Sequence, residues 1–182
     1  MRFPKPYADF VQRFRVPGGF VLLAAFLWFS DPGYASIAWG MPVCALGLWI
    51  RGWAAGHLTK NQQLTDSGPY AHVRNPLYVG SLLVTAGMMI AARSWGLGVL
   101  FAAAFVLIYL PVIQQEESHL RGLFPAYDAY ARRVPLLIPR LTPAGGTKSF
   151  DWDVYRRNKE WKALGGFAVG VAVLILKAAL GH

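Results

Sequence analysis

The chain has 182 residues, of which 55% are hydrophobic and only 15% are charged, and its net charge is +9. A soluble domain usually carries about 25% charged residues, so this composition indicates a membrane protein. The basic residues fall between apolar segments and no nucleic-acid motif accompanies them, which argues against nucleic acid as a partner. The single cysteine, Cys44, leaves no disulfide framework and no cysteine-based metal site.

Five apolar segments predict one all-α domain over residues 1–182 with about five membrane-spanning helices. A span needs about 20 mostly apolar residues, and shorter stretches are tolerated when flanking side chains reach the interface. No small-residue cleavage site follows the first segment, so we do not expect a cleaved signal peptide there. In chain order the segments cover residues 17–29, 36–56, 77–92, 97–113 and 164–180.

A first polar cluster, residues 64–80, stands at the mouth of the third apolar segment. Asn75 and Pro76 read as the N-cap and the first residue of a helix. The free N–H groups and positive dipole end of that helix, beside Arg74, favour a carboxylate or a phosphate. Gly80, one turn further on, leaves room for a ligand or a neighbouring helix. The alternative is an ordinary capped helix next to an ordinary juxtamembrane arginine.

A second polar cluster, residues 114–120, follows the fourth apolar segment. Adjacent carboxylates at a helix C-terminus oppose the helix dipole and repel each other, so Glu116 and Glu117 predict a cationic or hydroxyl-bearing partner. That partner is either a side chain or a ligand carrying an ammonium and ribose hydroxyls. The candidate side chains are Arg74, Lys60 and Arg121. His119, one turn from Glu116, is either a pairing partner of Glu116 or a base.

The basic residues also predict an orientation. With five spans, nearly all lysines and arginines fall on one side of the membrane, and Arg93 and Lys177 fall on the other. Positive charge concentrates in cytoplasmic loops, so we expect the N-terminus and both polar clusters on the cytoplasmic side of a bacterial or archaeal inner membrane. The basic, aromatic stretch 127–162 is predicted to lie along the headgroup layer, with 142–149 as a linker.

Arg51 lies within the second apolar segment. A charge inside a span marks a functional position by default, although a side chain this close to the interface can also extend to it. We therefore expect a cytoplasm-facing cavity that holds Arg51, Arg74 and the two glutamates.

Three motifs occur in order between about residues 51 and 139, half of the chain. They resemble those of the isoprenylcysteine carboxyl methyltransferase family and the related phospholipid N-methyltransferases. Asn75 stands where that family has histidine, and Pro125 where it has glycine after Phe124. A C-terminal helix at about 163–180 lies outside the shared core. The motifs read Ile50-Arg51-Gly52-Trp53-Ala54, then Gly68-Pro69-Tyr70 with Arg74-Asn75-Pro76-Leu77-Tyr78-Val79-Gly80, then Glu116-Glu117-Ser118-His119-Leu120 with Phe124, Tyr127, Tyr130 and Val134-Pro135.

The resemblance implies an integral membrane methyltransferase that binds S-adenosylmethionine in the cytoplasm-facing pocket and takes a lipid-like acceptor from the bilayer. Arg51 and Glu117 are the catalytic candidates: Arg51 would orient a carboxylate acceptor, and Glu117 or His119 would accept a proton from an amine or a thiol. Metal ligands are not expected. The candidate cofactor-binding residues are Tyr70, Arg74, Asn75, Pro76, Tyr78, Gly80, Glu116, Glu117 and His119.

Two other kinds of protein fit parts of the pattern. Membrane lipid reductases of the steroid-reductase type carry a similar Arg-His-Pro-like element and use NADPH. A non-enzymatic scaffold or small transporter would explain the helices and basic loops, but it gives Arg51 and the paired glutamates no purpose.

Overall fold

The computed structural model describes residues 3–181, without the side chain of Arg15. Arg2 and that side chain, both counted in the charge argument, lie outside the described part. Across residues 3–181 the secondary structure is helical and without strands, which confirms the all-α prediction. The helices are α1 (Lys5–Phe29), α2 (Tyr34–Ala55), α3 (Pro76–Ala92), α4 (Trp95–Ala104), α5 (Leu110–Leu123), α6 (Tyr127–Arg133), α7 (Trp152–Arg157) and α8 (Trp161–Leu180).

Each of the five apolar segments lies in a helix, but the first was predicted too short. Helix α1 begins at Lys5 rather than residue 17, and its two halves, Lys5–Phe14 and Val16–Phe29, meet at 58°. Pro17 sits just past this bend, and proline removes a backbone donor and clashes with the preceding turn. The helix therefore begins before Pro17, the residue at which the apolar pattern predicted its start.

Not every helix has the length of a span. Trp95–Leu123 and Trp161–Leu180 are long and apolar enough to cross a membrane, and the bent α1 would make a third. Helix α3 has 17 residues, and at about 1.5 Å per residue it falls short of a hydrocarbon core about 30 Å thick. The five-span topology therefore stays a prediction.

Helices α2 and α3 pack antiparallel through glycines seven residues apart on each helix. Gly40 faces Gly87, and Gly47 faces Gly80. A Cβ atom on Gly47 would lie 2.6 Å from the Gly80 carbonyl oxygen, so only glycine permits this approach. Small residues let helix backbones meet closely in membrane proteins. The packing sets Arg51, one turn beyond Gly47, directly against Gly80.

A proline reshapes the helix that carries the second polar cluster. Helices α4 and α5 are continuous through a π-helical segment, Phe105–Tyr109. Pro111 has no N–H to offer Leu107 O, which instead accepts a hydrogen bond of 2.7 Å from the Tyr7 hydroxyl on α1. The continuous helix Trp95–Leu123 thus runs from the apolar region to the polar residues of α5.

Residues 134–151, here called the C-terminal strap, run back over the connection between α2 and α3. Backbone N–H groups of Arg140 and Ala144 donate to His72 O and Ala71 O at 3.0 and 2.9 Å. Asp151 N–H donates to Gly56 O at 3.0 Å. The part predicted to be a linker thus packs on the loop that holds the first polar cluster.

The two ends of the helix bundle differ in their basic residues. At one end, the Lys177 ammonium donates to Leu27 O at 3.0 Å and also to Ser30 O, while Asp31 N–H donates to Ala92 O at 2.9 Å. The turn with Arg93 is at this end. The two polar clusters and the C-terminal strap occupy the other end.

Candidate functional site

A cavity of about 420 Å³ opens where α2 ends and α3 begins, between the loop that joins them and the second half of α5. Arg51 and members of both polar clusters line it, so the structure brings together side chains that are far apart in sequence. The predicted site residues on its wall are Arg51, Tyr70, Arg74, Asn75, Pro76, Tyr78, Glu116 and His119.

Glu117 does not line the cavity. It forms an ion pair with Arg74 on the side away from the cavity. Its Oε1 lies 3.1 Å from Arg74 Nε, and the Tyr127 hydroxyl donates to the same oxygen at 2.9 Å. Arg121 Nη2 is 4.0 Å from the other carboxylate oxygen. The partner of this glutamate is therefore a side chain rather than a ligand, and the charge of Arg74 is already balanced within the protein.

Glu116 has a different environment from its neighbour. Its carboxylate is exposed at the cavity, where it accepts a hydrogen bond of 3.1 Å from the Tyr78 hydroxyl. It forms no ion pair with any residue in the described part of the chain. Glu116 is thus an anion available to a cationic ligand group. His119 is also exposed on this wall.

Asn75 takes the predicted N-cap position of α3, with Pro76 as the first helical residue, but its side chain does not cap the helix. The amide Nδ2 donates to Leu136 O of the C-terminal strap at 3.3 Å, so the predicted side-chain cap is wrong. Gly80 is also absent from the cavity wall, because it serves the contact with α2. An added Cβ there would lie 2.5 Å from Arg51 Cγ.

Arg51 makes an ion pair that the sequence analysis missed. Its Nε lies 2.5 Å from Oε1 of Glu160, the residue that precedes α8, and its Nη1 donates to Ser81 Oγ and Leu77 O. The charge is balanced inside the molecule rather than by extension to the interface. A signal was present in the sequence: Glu160 is an acidic residue in the otherwise basic and aromatic stretch 155–162.

Three buried tyrosines, Tyr70, Tyr127 and Tyr130, line one side of the cavity. The Tyr130 hydroxyl donates to Tyr70 O at 2.9 Å in a buried hydrogen bond. Burial raises the pKa of Tyr70 and of Tyr130 well above the usual range, and burial together with the carboxylate of Glu117 does the same for the pKa of Tyr127. These hydroxyls are therefore neutral hydrogen-bonding groups at physiological pH.

The loop after α2 contributes further cavity residues, and of these only Lys60 was a candidate from the sequence, as a partner of the two glutamates. Thr59 is the most informative of them, because its Oγ1 is buried without a hydrogen-bond partner in the described structure. Most buried side-chain polar atoms in proteins have a hydrogen-bond partner, either another protein group or an ordered water. A run of polar residues after an apolar helix was the available signal. The loop residues on the wall are Leu58, Thr59, Lys60, Asn61, Gln63, Leu64 and Thr65.

No group of three or more His, Cys, Asp or Glu residues within the described part of the chain could hold a metal ion.

Comparison with known proteins finds relatives of two kinds. The chain is 37% identical over 117 residues to a cobalt-zinc-cadmium resistance protein of Cupriavidus metallidurans, covering 64% of this chain and 52% of that protein. It is 36% identical over 104 residues to a nickel-cobalt-cadmium resistance protein of Alcaligenes xylosoxydans xylosoxydans, covering 57% and 48%. It is 30% identical over 86 residues to a protein-S-isoprenylcysteine O-methyltransferase of Schizosaccharomyces pombe, covering 47% and 36%.

The chain thus spans about half the length, or less, of these relatives. No solved structure matches it significantly. The sequence model of the phospholipid methyltransferases matches residues 35–126, from the start of α2 to the end of the second polar cluster and the turn beyond it. That match covers half of the chain and includes both polar clusters and Arg51. The chain therefore belongs to the phospholipid methyltransferase family.

Proposed function

We propose that this protein is a membrane methyltransferase that binds S-adenosylmethionine in the cavity and transfers its methyl group to a lipid-like acceptor. The observation that carries the proposal is Glu116, an exposed carboxylate without an ion-pair partner among the described residues, on the same wall as Arg74 and Tyr78. Family membership supports the same reaction class. Orientation of the cavity toward the cytoplasm belongs to the proposal as well.

The cavity suits this cofactor in size and in chemistry. At about 420 Å³ it falls within the range of roughly 300–1,000 Å³ that is usual for small-molecule sites. The buried Thr59 hydroxyl without a partner suits a ribose hydroxyl. Glu116 suits an ammonium group, and the ring of Tyr78 suits a sulfonium through a cation–π interaction.

The sequence predicted Arg74 as a free positive charge for an anionic ligand, but in the structure it is paired with Glu117. Glu117 balances its charge and fixes its position, so it offers the cofactor carboxylate directed N–H donors rather than a free positive charge. The backbone N–H of Arg74 donates to Pro135 O at 2.9 Å, which ties this arginine to the C-terminal strap. Glu117 accordingly acts as a positioning residue behind the cavity.

The bound cofactor would supply a methyl group on a positively charged sulfur, which a nucleophile displaces directly. For such a reaction the protein has to align the two reactants and exclude water. The buried Tyr70, Tyr127 and Tyr130 form one side of the cavity, and Arg51 of α2 and Ser81 of α3 form another part of its wall. These residues orient the acceptor, and the exposed His119 lies at the cavity to accept a released proton.

A second, apolar cavity of about 310 Å³ supports a lipid-like acceptor. It lies between α1, α3, α4 and α8 and is lined by Phe26, Met88 and Phe101 among others. The ring of Tyr109 on this cavity contacts the ring of Tyr78 on the polar cavity, with centroids 6.4 Å apart. A lipid tail in the apolar cavity would therefore bring its headgroup to the proposed cofactor.

We do not propose reductase activity, a scaffold role or metal binding for this protein, because the family match supports the methyltransferase class. The resistance proteins named above carry metals in their names, but nothing in this site favours a direct metal ligand set.

Direct binding tests the proposal. Detergent-purified protein is titrated with S-adenosylmethionine and, separately, with NADPH by calorimetry. We expect Glu116→Gln to weaken S-adenosylmethionine binding by about tenfold, the effect of one charge-assisted contact. The control Asp153→Asn changes an exposed carboxylate on α7, away from the cavity, and should leave the Kd unchanged.

Methyl transfer is then measured with radiolabelled S-adenosylmethionine and a membrane lipid extract. Binding of NADPH without S-adenosylmethionine binding would contradict the proposal, as would equal affinities of the wild type and Glu116→Gln.

A further inference from the structure

The ion pair between Arg51 and Glu160 lies at the cavity wall, where it affects which acceptor groups can bind. Arg51, Leu77 and Ser81 lie on the cavity wall, and Glu160 contacts Arg51 from behind that wall. The two side chains are only 21% and 12% exposed, so water screens their interaction little. At Arg51, the cavity therefore meets a neutral ion pair instead of a free cation.

The placement of Glu160 is built into the fold. Asn158 lies two residues before Glu160. Its side-chain amide donates to Ala55 O at the end of α2 and to Leu58 O just beyond it, both at 2.8 Å. Arg51 lies one turn before Ala55 on the same helix. The start of α8 is thus fixed to the helix that carries Arg51, and Glu160 is held within reach of it.

An acceptor carboxylate at Arg51 would meet an unfavourable situation. Displacing Glu160 leaves a shielded carboxylate without its partner, and keeping Glu160 places two anions around one guanidinium. An acceptor group that binds without negative charge, such as an amine or a protonated thiol, meets neither difficulty. The pair therefore disfavours the carboxylate that Arg51 alone would attract.

We propose that Glu160 is a specificity-determining residue: by neutralising Arg51 it makes the site select an acceptor that binds without negative charge, an amine or a thiol, over a carboxylate. This inference rests on the proposed function. The lone pair of nitrogen or sulfur forms the new bond to the methyl carbon while the bond from that carbon to the sulfonium breaks. The electron pair of the broken bond stays on the cofactor sulfur, and the acceptor releases its proton to His119 at the exposed side of the cavity.

Three probes with one tail test the proposal: hexadecanethiol, hexadecylamine and hexadecanoate, each incubated with the full chain and tritiated S-adenosylmethionine. We expect wild-type transfer to the thiol or the amine to exceed transfer to the carboxylate by about tenfold or more, the scale of discrimination by one shielded charge. Glu160→Gln exposes Arg51 and should reduce this ratio by about tenfold.

The double variant Arg51→Gln/Glu160→Gln removes both charges and should restore the wild-type ratio, which a merely structural role of Glu160 would not do. It also keeps the test decisive if Glu160→Gln does not fold. A wild-type preference for hexadecanoate overturns the proposal. So does an unchanged ratio in Glu160→Gln, or transfer to neither the thiol nor the amine by protein that binds the cofactor. Failure of the wild type to bind S-adenosylmethionine would instead overturn the proposed function.

Discussion

Glu116 and Glu117 are neighbours in the chain, yet the structure assigns them opposite environments. Helical geometry points adjacent side chains about 100° apart, so one carboxylate faces the cavity and the other faces Arg74 and Tyr127. From the sequence, the two carboxylates were expected to share one kind of partner, either a ligand or a basic side chain among Arg74, Lys60 and Arg121. Each alternative holds for one glutamate: the side-chain partner is observed for Glu117, and the ligand partner is proposed for Glu116.

This difference predicts a contrast between two isosteric variants. Glu117→Gln leaves the shielded Arg74 without its counter-ion and should lower the free energy of unfolding by roughly 3 kcal/mol. Glu116→Gln changes an exposed side chain and should alter it by less than about 0.5 kcal/mol. Unfolding of both variants in mixed detergent micelles checks this. Equal stability of the two would mean that the Arg74–Glu117 pair does not stabilise the fold.

At the scale of elements, the contact between α2 and α3 positions Arg51. The glycines that allow it lie on facing surfaces, and Arg51 continues the same surface of α2 toward the cavity. Gly80 was expected to make room for either a ligand or a helix, and the structure shows the helix. A catalytic candidate thus depends on a helix–helix distance set by residues that touch no ligand.

Adding one methyl group at this contact should disturb both stability and function. A Cβ on Gly80 would lie 2.5 Å from Arg51 Cγ and 2.6 Å from Gly47 O, so Gly80→Ala has to separate the helices. We expect a loss of roughly 1–3 kcal/mol in unfolding free energy, as for other overpacked cores, together with slower methyl transfer.

Gly98→Ala is the matched control, because a Cβ at Gly98 in α4 meets nothing within 4 Å. It should keep the stability or raise it by up to about 1 kcal/mol, through the better helix propensity of alanine. A harmless Gly80→Ala would show that the two helices are not in tight contact.

At the scale of the whole molecule, the helix bundle separates its functional groups by end. The polar clusters lie at the end that the C-terminal strap covers, and the turn with Arg93 lies at the other, beside Lys177. This arrangement agrees with the charge distribution from which the orientation was predicted. The side of the membrane that each end faces stays a prediction.

Cysteine labelling tests that orientation. Ser118→Cys places an exposed thiol at the cavity end, and Gly96→Cys places one at the opposite end. With the chain expressed in a bacterial inner membrane, a membrane-impermeant maleimide should label Ser118→Cys in inverted vesicles and Gly96→Cys in spheroplasts. The wild type is the control, since its cysteine, Cys44, is fully buried. The reverse pattern, or labelling of both from one side, would contradict the predicted topology.

The sequence alone determined the helical state of the five apolar segments, the two polar clusters and the family resemblance, whereas the short helices α6 and α7 were not predicted. Apolar runs, a proline after an asparagine and adjacent glutamates are local patterns, and helix formation depends mainly on local sequence and on apolar length. Even so, the start of α1 was misplaced: the pattern predicted a start at Pro17, whereas the helix begins at Lys5 and bends just before this proline.

Only the tertiary structure decided which charges meet. Arg51 and Glu160 are 109 positions apart, and Arg74, which precedes α3, contacts Glu117 on α5. Such pairs form because helix packing and the C-terminal strap bring distant segments together, and no local pattern encodes those distances. For the same reason the polar loop with Thr59 entered the site only in three dimensions. The charged and polar groups of the site could be identified in the sequence. Which of them neutralise each other, on which the proposed acceptor choice depends, is a property of the folded molecule.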